Sequence, residues 1–260
     1  MNTITSLLEK ISNARPLEFG AIFNESLELF KKTWLQGFLL QLIIFIIVLP
    51  IIIVVYMPII GLALAQSESG HDNPDAFSDL FTGMSVFYII VIIIAIFALA
   101  AVQLALNAGF FRIMKKLDYN EQVSSTDFFY FFKAKYFNKT FLLMLVTVLI
   151  AIPAALLCYI PLLYVMVPMS FFSIIFAFNP ELSIGDIVNA SFKLGHKKWL
   201  LAFGLLIVSS ILSQIIGLLL CGIGLLFTAA FVYHPLYLIY KKVIGFDGEN
   251  EIEDIKNLSE

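Results

Sequence analysis

Amphipathic stretches alternate with long apolar runs along this chain, and the alternation predicts its elements. Ile4, Leu7, Leu8 and Ile11 fall at helical spacing and predict a short surface helix. Ala14-Arg15-Pro16 ends it, and Pro16 suits the first turn of the next helix. There Phe19, Ile22, Phe23, Ser26, Leu27 and Phe30 form one stripe, with Asn24, Glu25, Glu28, Lys31 and Lys32 opposite. An apolar face with a charged back marks an interfacial helix, over about 17–33. A first span follows from Trp34 to about Ala65, with Pro50 and Pro58 inside it, and reads as one kinked or tilted crossing. After a polar stretch over 66–84, a second span runs from Ser85 to Leu106 and continues as helix to Lys116.

Ser124 and Asp127 then form a capping pair that opens a second surface helix, over 125–139. Two shorter spans, Phe141–Cys158 and Pro161–Phe178, meet at a tight turn around Tyr159. Ser183 with Asp186 caps a third surface helix, over 184–198, whose stripe is Ile184, Ile187, Val188, Ser191, Phe192 and Gly195. A fifth span runs from Trp199 to Leu220, Gly222-Ile-Gly224 turns the chain, and a sixth span reaches Tyr240. Small residues repeat every four positions at Ala101, Ala105 and Gly109, and again at Ser209, Ser213 and Gly217. Such seams let another helix approach closely.

The first and third surface helices are copies of one another. Gly20–Leu40 and Gly185–Leu205 lie 165 positions apart and share ten of twenty-one residues, without a gap. The middle copy is weaker: Lys139-Thr-Phe-Leu142 falls on Lys32-Thr-Trp-Leu35. The expected fold is therefore all-α: six transmembrane helices in three repeats of interfacial amphipathic helix plus helical hairpin. This six-span membrane domain covers 1–244, and 245–260 is an acidic cytoplasmic tail.

Composition narrows the class. Hydrophobic residues make up 60% of 260 and charged residues 13%, against about a quarter charged in soluble domains. Runs of about 20 apolar residues cross a bilayer as helices, because lipid offers the backbone no partners. A net charge of −3 gives no basic field for nucleic acid. With six spans, all sixteen lysines and arginines fall on one side. By the positive-inside rule both termini are then cytoplasmic, in a multi-pass protein of the inner membrane. Trp34 and Trp199 mark the same boundary.

Candidate chemistry is sparse. There is no HExxH, GxSxG, P-loop or CxxC, and no charged residue lies deep in a span. The expectation is a protein that is not an enzyme and holds no metal or cofactor. Lys31, Lys32, Trp34, Lys197, Lys198 and Trp199 are candidates for lipid head-group contact; the alternative is topology signalling and snorkelling alone. Gln103, Asn107, Gln214 and His234 are candidates for a polar intramembrane seam, with interhelical hydrogen bonding as the simpler account. Glu68, His71, Asp72, Asp75 and Asp79 match no calcium-loop spacing and read as a solvated loop. Cys158 and Cys221 read as small buried hydrophobes, with an outward-side disulfide as the alternative.

Asn189-Ala-Ser-Phe-Lys-Leu194 with Lys197-Lys-Trp199, after a Pro-Glu-Leu loop, resembles the pattern of bacterial YciC-like membrane proteins. These are related to the membrane domain attached to some glycerophosphoryl diester phosphodiesterases. The resemblance implies a six-helix inner-membrane protein without the phosphodiesterase site, which belongs to a separate soluble domain. Ala14-Arg-Pro-Leu-Glu-Phe19 also resembles proteins that carry a beta-carotene monooxygenase label. Known carotenoid oxygenases hold iron with four histidines in a β-propeller, whereas this chain has three histidines and no propeller pattern. The function expected is organisation of the membrane or its lipid, or scaffolding of partners. Its partners would be membrane lipids or other membrane proteins. A carrier or flippase for a lipid-like or apolar substrate is the alternative.

Overall fold

The computed structural model describes residues 3–69, 82, 86–157 and 159–246. The acidic stretch from His71 to Asp79, Cys158 and the tail beyond 246 lie outside the described residues. Among the described residues every regular element is helical: α1 (Ile4–Ser12), α2 (Phe19–Ser69), α3 (Val86–Asp118), a 3-10 segment (Ser125–Phe132), α4 (Ala134–Leu156), α5 (Ile160–Ser170), α6 (Phe172–Phe178), α7 (Ile184–Lys197), α8 (Trp199–Leu219), α9 (Gly224–Thr228), a second 3-10 segment (Ala229–Val232) and α10 (Tyr233–Val243). Five stretches are long and apolar enough to cross a membrane: Phe19–Leu64, Tyr88–Asp118, Ala134–Leu156, Ile160–Phe178 and Trp199–Leu219. This fits a multi-pass membrane protein.

Three boundaries differ from the sequence pattern. The amphipathic segment over 17–33 and the apolar run after it form one helix, because nothing between Phe30 and Leu35 breaks helical geometry. Pro50 and Pro58 also lie inside that helix. The segment read as one surface helix over 125–139 is two elements, since Lys133 is extended (φ −60, ψ 140) between the 3-10 segment and α4. The run after Gly224, read as a sixth span, is made of α9, a 3-10 segment and α10 end to end.

The chain divides into two compact units. The smaller spans Leu42–Gln103 and holds the distal part of α2 and the first part of α3. Its surface is apolar: Ile46, Met57, Leu64 and Ile94 are exposed. Within it the Tyr88 hydroxyl donates to the Val54 carbonyl at 2.6 Å.

The larger unit, 1–41 with 104–260, has a core rich in aromatic rings. Phe110, Phe111, Phe128, Phe131, Phe171, Phe172, Phe176, Tyr237 and Tyr240 are fully buried. Close approaches depend on small residues. A Cβ on Gly109 would lie 2.5 Å from the Phe128 carbonyl oxygen, and one on Gly195 would lie 2.5 Å from Pro168 Cα. Gly37 faces Ala230 in the same way, at 3.0 Å. The Ser209-Ser213-Gly217 seam receives α9. Ser213 Oγ donates to the Thr228 carbonyl at 2.8 Å and Thr228 Oγ1 donates to the Ser213 carbonyl at 2.9 Å. The turn between them places Cys221 (φ 54) and Gly222 (φ 86) in the left-handed region, which glycine adopts at no steric cost. Cys221 is exposed there, because the turn carries it past the helix ends, so it is not the buried small hydrophobe its composition suggests.

Candidate functional site

The polar layer of the larger unit is tied together chiefly by lysines, and the ties decide which cations are free to meet a ligand. α1 lies against α7, with Leu7 and Ile11 buried beneath it. Ser183 Oγ caps α7 by accepting from the Asp186 amide at 3.1 Å, as the sequence pair predicts. At the other end of α7, Lys197 Nζ donates to the Ser12 carbonyl and Lys198 Nζ to the Arg15 carbonyl. Lys198 is buried, and burial followed by the neighbouring Lys197 charge pushes its ammonium below the usual lysine range. Each thus gives one of its three N–H donors to the main chain around α1, Lys198 from a buried position and Lys197 from an exposed one.

The other candidates of that set differ among themselves. Lys31 pairs with Glu28 at 2.6 Å on an exposed helix face, and Lys32 is exposed. Trp34 is 46% exposed and stacks on Phe227. Trp199 Nε1 donates to the Tyr164 carbonyl at 3.0 Å, with Tyr164 and Phe203 stacked on either side of the indole. An exposed indole at the start of an apolar run suits the head-group boundary; one that spends its N–H inside the protein acts first as a packing group.

The four seam candidates do not converge. His234 is fully buried, and its hydrogen bonds go elsewhere: Nε2 lies 2.6 Å from Thr33 Oγ1, and Nδ1 lies 3.2 Å from the Ala230 and Phe231 carbonyls. Carbonyls only accept, so Nδ1 carries the hydrogen in the neutral ring, and Nε2 competes with the Leu29 carbonyl, 3.0 Å from Oγ1, for the one Thr33 hydroxyl hydrogen. The Thr33–His234 contact joins α2 and α10, ringed by Phe30, Phe110 and Phe231. Asn107 Oδ1 is buried without a hydrogen-bond partner, as are Gln36 Oε1 and Ser209 Oγ. Gln214 is exposed, and Gln103 is exposed in the smaller unit.

Sequence reasoning missed a concave site at the end of α3. Arg112, Lys115, Lys116, Glu121, Ala177, Phe178, Tyr240 and Phe246 line a cavity of about 270 Å³. Spacings of three and four residues put the three cations on one face of α3. Lys116 holds both oxygens of Asp127, at 2.9 and 2.8 Å. Asp127 also accepts from the Ser124 amide at 2.9 Å. Burial alone would raise the Asp127 carboxyl, but Lys116, the Ser124 amide and Arg112 together hold it below its ordinary value. Arg112 and Lys115 make no ion pair among the described residues and lie over rings. The guanidinium lies 3.8 Å from the Tyr130 centroid and the ammonium 4.4 Å from that of Phe246.

Further ion pairs brace the same layer. Asp118 accepts from Tyr237 at 2.9 Å and Lys241 at 2.7 Å, tying α3 to α10. Lys135 pairs with Glu181 at 2.7 Å, which lowers the exposed Glu181 carboxyl. Lys139 donates to the Pro180 and Leu182 carbonyls. Among the described residues no group of three or more His, Cys, Asp or Glu side chains is placed to hold a metal ion. No family model, curated protein or solved structure matches the chain.

Proposed function

We propose that this is a non-enzymatic protein of the inner membrane, with six crossings in three repeats and both termini cytoplasmic. It organises the lipid of the cytoplasmic leaflet, or holds a partner protein there. One observation carries the reading. No lysine or arginine occurs between Lys32 and Arg112, between Lys139 and Lys193, or between Lys198 and Lys241. Every apolar run therefore begins or ends at a cationic edge, at the depth where anionic head groups lie. Each exposed cation near that surface contributes about 1 kcal/mol. In the six-span reading the sixth crossing is the chain from α9 through α10. Lys31, Lys32, Trp34 and Lys197 are the exposed members of the head-group set, and of the three lysines Lys32 makes no ion pair or hydrogen bond among the described residues.

The test is the lipid shell. Extracted in polymer-bounded discs without detergent, the protein should carry anionic phospholipid enriched over the bulk membrane. Lys32→Gln with Trp34→Leu should reduce that enrichment. A shell of bulk composition, with no protein partner at fixed stoichiometry, would overturn the proposal.

A carrier or flippase for a lipid-like substrate is the second reading. It rests on the Asn107 and Gln36 oxygens, which are buried without partners. Such orphaned groups are costly and invite a polar ligand. Transbilayer movement of a fluorescent short-chain phospholipid in proteoliposomes, slowed in Asn107→Leu, would favour it over the first.

A further inference from the structure

We infer that the cavity at the end of α3 is a binding site for a phosphate ester, held by Arg112 and Lys115 and closed on its apolar side by Phe178, Tyr240 and Phe246. This goes beyond the reading above, because it names one discrete pocket and the chemistry it takes; Lys32 and Trp34 do not line it.

Charge is the first argument. Lys116 is neutralised by Asp127, with two hydrogen bonds under 3 Å. Arg112 and Lys115 make no ion pair among the described residues; both lie over aromatic faces, and Arg112 also acts on the Asp127 carboxylate and the Tyr130 hydroxyl. A guanidinium engaged by its face keeps most of its N–H donors, which lie in its own plane. Tyr130 thus holds Arg112 in place while leaving a donor edge of the shape that suits two phosphate oxygens. Glu121 is the opposing charge in the lining and is exposed, with no ion pair among the described residues. Two cations against one carboxylate leave one positive charge. A phosphodiester or singly ionised phosphate carries one negative charge.

Size and position agree. About 270 Å³ is roughly nine times the share of liquid volume taken by a water, which is room for a phosphate and a short polyol. The cavity also sits at the last turns of Tyr88–Asp118, a helix long and apolar enough to cross a membrane, whose end would lie at head-group depth in such a crossing. A bland account exists, because Lys115 and Lys116 lie in the last turn of α3 and complement its dipole. It does not explain Arg112, which lies before that turn, nor why Lys115 sits over a ring, nor the aromatic wall around Phe246. That wall is packed ring on ring: Phe246 lies on Phe178 at 4.7 Å and on Tyr237 and Tyr240 at 5.7 Å between ring centroids.

A phosphate ester of this kind could be a lipid head group or a soluble metabolite, and the experiment separates them. Native mass spectrometry of the full chain in a non-ionic detergent would be titrated with phosphatidylglycerol and phosphatidic acid, against phosphatidylcholine. Glycerol 3-phosphate and inorganic phosphate would be added in a parallel arm and as competitors. Saturable binding of an anionic lipid, lowered about tenfold or more in Arg112→Gln with Lys115→Gln, is the expected result. Displacement by glycerol 3-phosphate would assign the site to a soluble ester, and resistance to it would assign the site to lipid. Glu121→Gln provides a check that does not depend on the double variant folding. It removes an exposed repelling charge and should tighten binding several-fold. The inference is overturned if phosphatidylcholine binds as well as the anionic lipids, if no phosphate in either arm binds saturably, or if Glu121→Gln and a folded double variant both bind like the wild type. Such a failure leaves the proposal about the lipid shell standing, because that shell is read through Lys32 and Trp34.

Discussion

Lys198→Met separates two roles open to Lys198, which stands between the repeated Lys197 and Trp199. In the structure Lys198 is buried and its ammonium donates to the Arg15 carbonyl. Methionine keeps the length of the apolar stem and removes the ammonium, with its charge and its donors. A hydrogen bond to a charged group contributes about 1.5–3 kcal/mol. Part of that is offset, because burial already disfavours the Lys198 ammonium, and because the exposed Arg15 leaves its carbonyl within reach of water. The net loss should be about 1–2 kcal/mol. α1 should not detach, because Leu7 and Ile11, at 0% and 2% exposed, anchor it through their own burial, about 1.5–3 kcal/mol each. It should open more often instead. A change of 1–2 kcal/mol is about a 5- to 30-fold rise in local opening. Hydrogen exchange of peptides covering 3–14 reads that directly, with the exposed Lys193→Met as control. If α1 exchanges at the wild-type rate in Lys198→Met while bound anionic lipid is lost, the tie is incidental and Lys198 acts on lipid.

Two further outcomes follow from the packing and the charges. Gly195→Ala gains about 1 kcal/mol of helix propensity but drives a methyl into the backbone of Pro168, with atoms at 2.5 and 2.8 Å. Overpacking costs about 1–3 kcal/mol, so thermal unfolding in detergent should fall, whereas Gly20→Ala, with nothing within 4 Å, should hold or rise. Asp127 titrates below its ordinary value in the fold, so its contribution is complete above about pH 4 and is lost as pH falls through the folded value. Asp127→Asn should therefore unfold about 1–2 kcal/mol more easily at neutral pH, from the lost cap and ion pair. The gap to wild type should close on acidification; a gap that is constant with pH would refute the assignment.

The fold was legible wherever local sequence carries the constraint. Apolar runs of span length, the Ser183–Asp186 cap and the Ser124–Asp127 pair all appear as helical elements, because each is decided within a few residues. The Ser213-Gly217 seam was legible for the same reason. Breaks decided by tertiary context were not. Nothing local marks Lys133 as extended, and between Gly224 and Val243 only Pro235, in the first turn of α10, marks a boundary; nothing local separates α9 from the 3-10 segment. Phe30 and Gly195 occupy matching positions in the two motif copies. Phe30 packs its ring on Phe231 and His234, while Gly195 receives the Pro168 backbone. The same register serves a large side chain in one place and none in the other, and only the neighbour decides which.

The site was less legible, because a sequence shows where charges are but not what neutralises them. Lys197 stands out by repetition, because it falls on Lys32, and Lys198 stands beside it, yet their partners are main-chain carbonyls more than 180 positions away. Any residue can supply a carbonyl, so no pattern announces such a tie. Arg112, Lys115 and Lys116 were visible as one face of a helix, and that spacing is the signal that could have found them. What it could not show is that an acid comes to Lys116 while aromatic rings come to Arg112 and Lys115. The difference decides function. A lysine tied to a carbonyl keeps its charge but spends a donor and its freedom to move, and one paired with a carboxylate loses its net charge as well. An arginine seated on a ring keeps both charge and donors while its position is held. Arg112 and Lys115 are thus cations held in position at the end of α3, and the second copy of the lysine-tryptophan motif ties α7 to the main chain around α1.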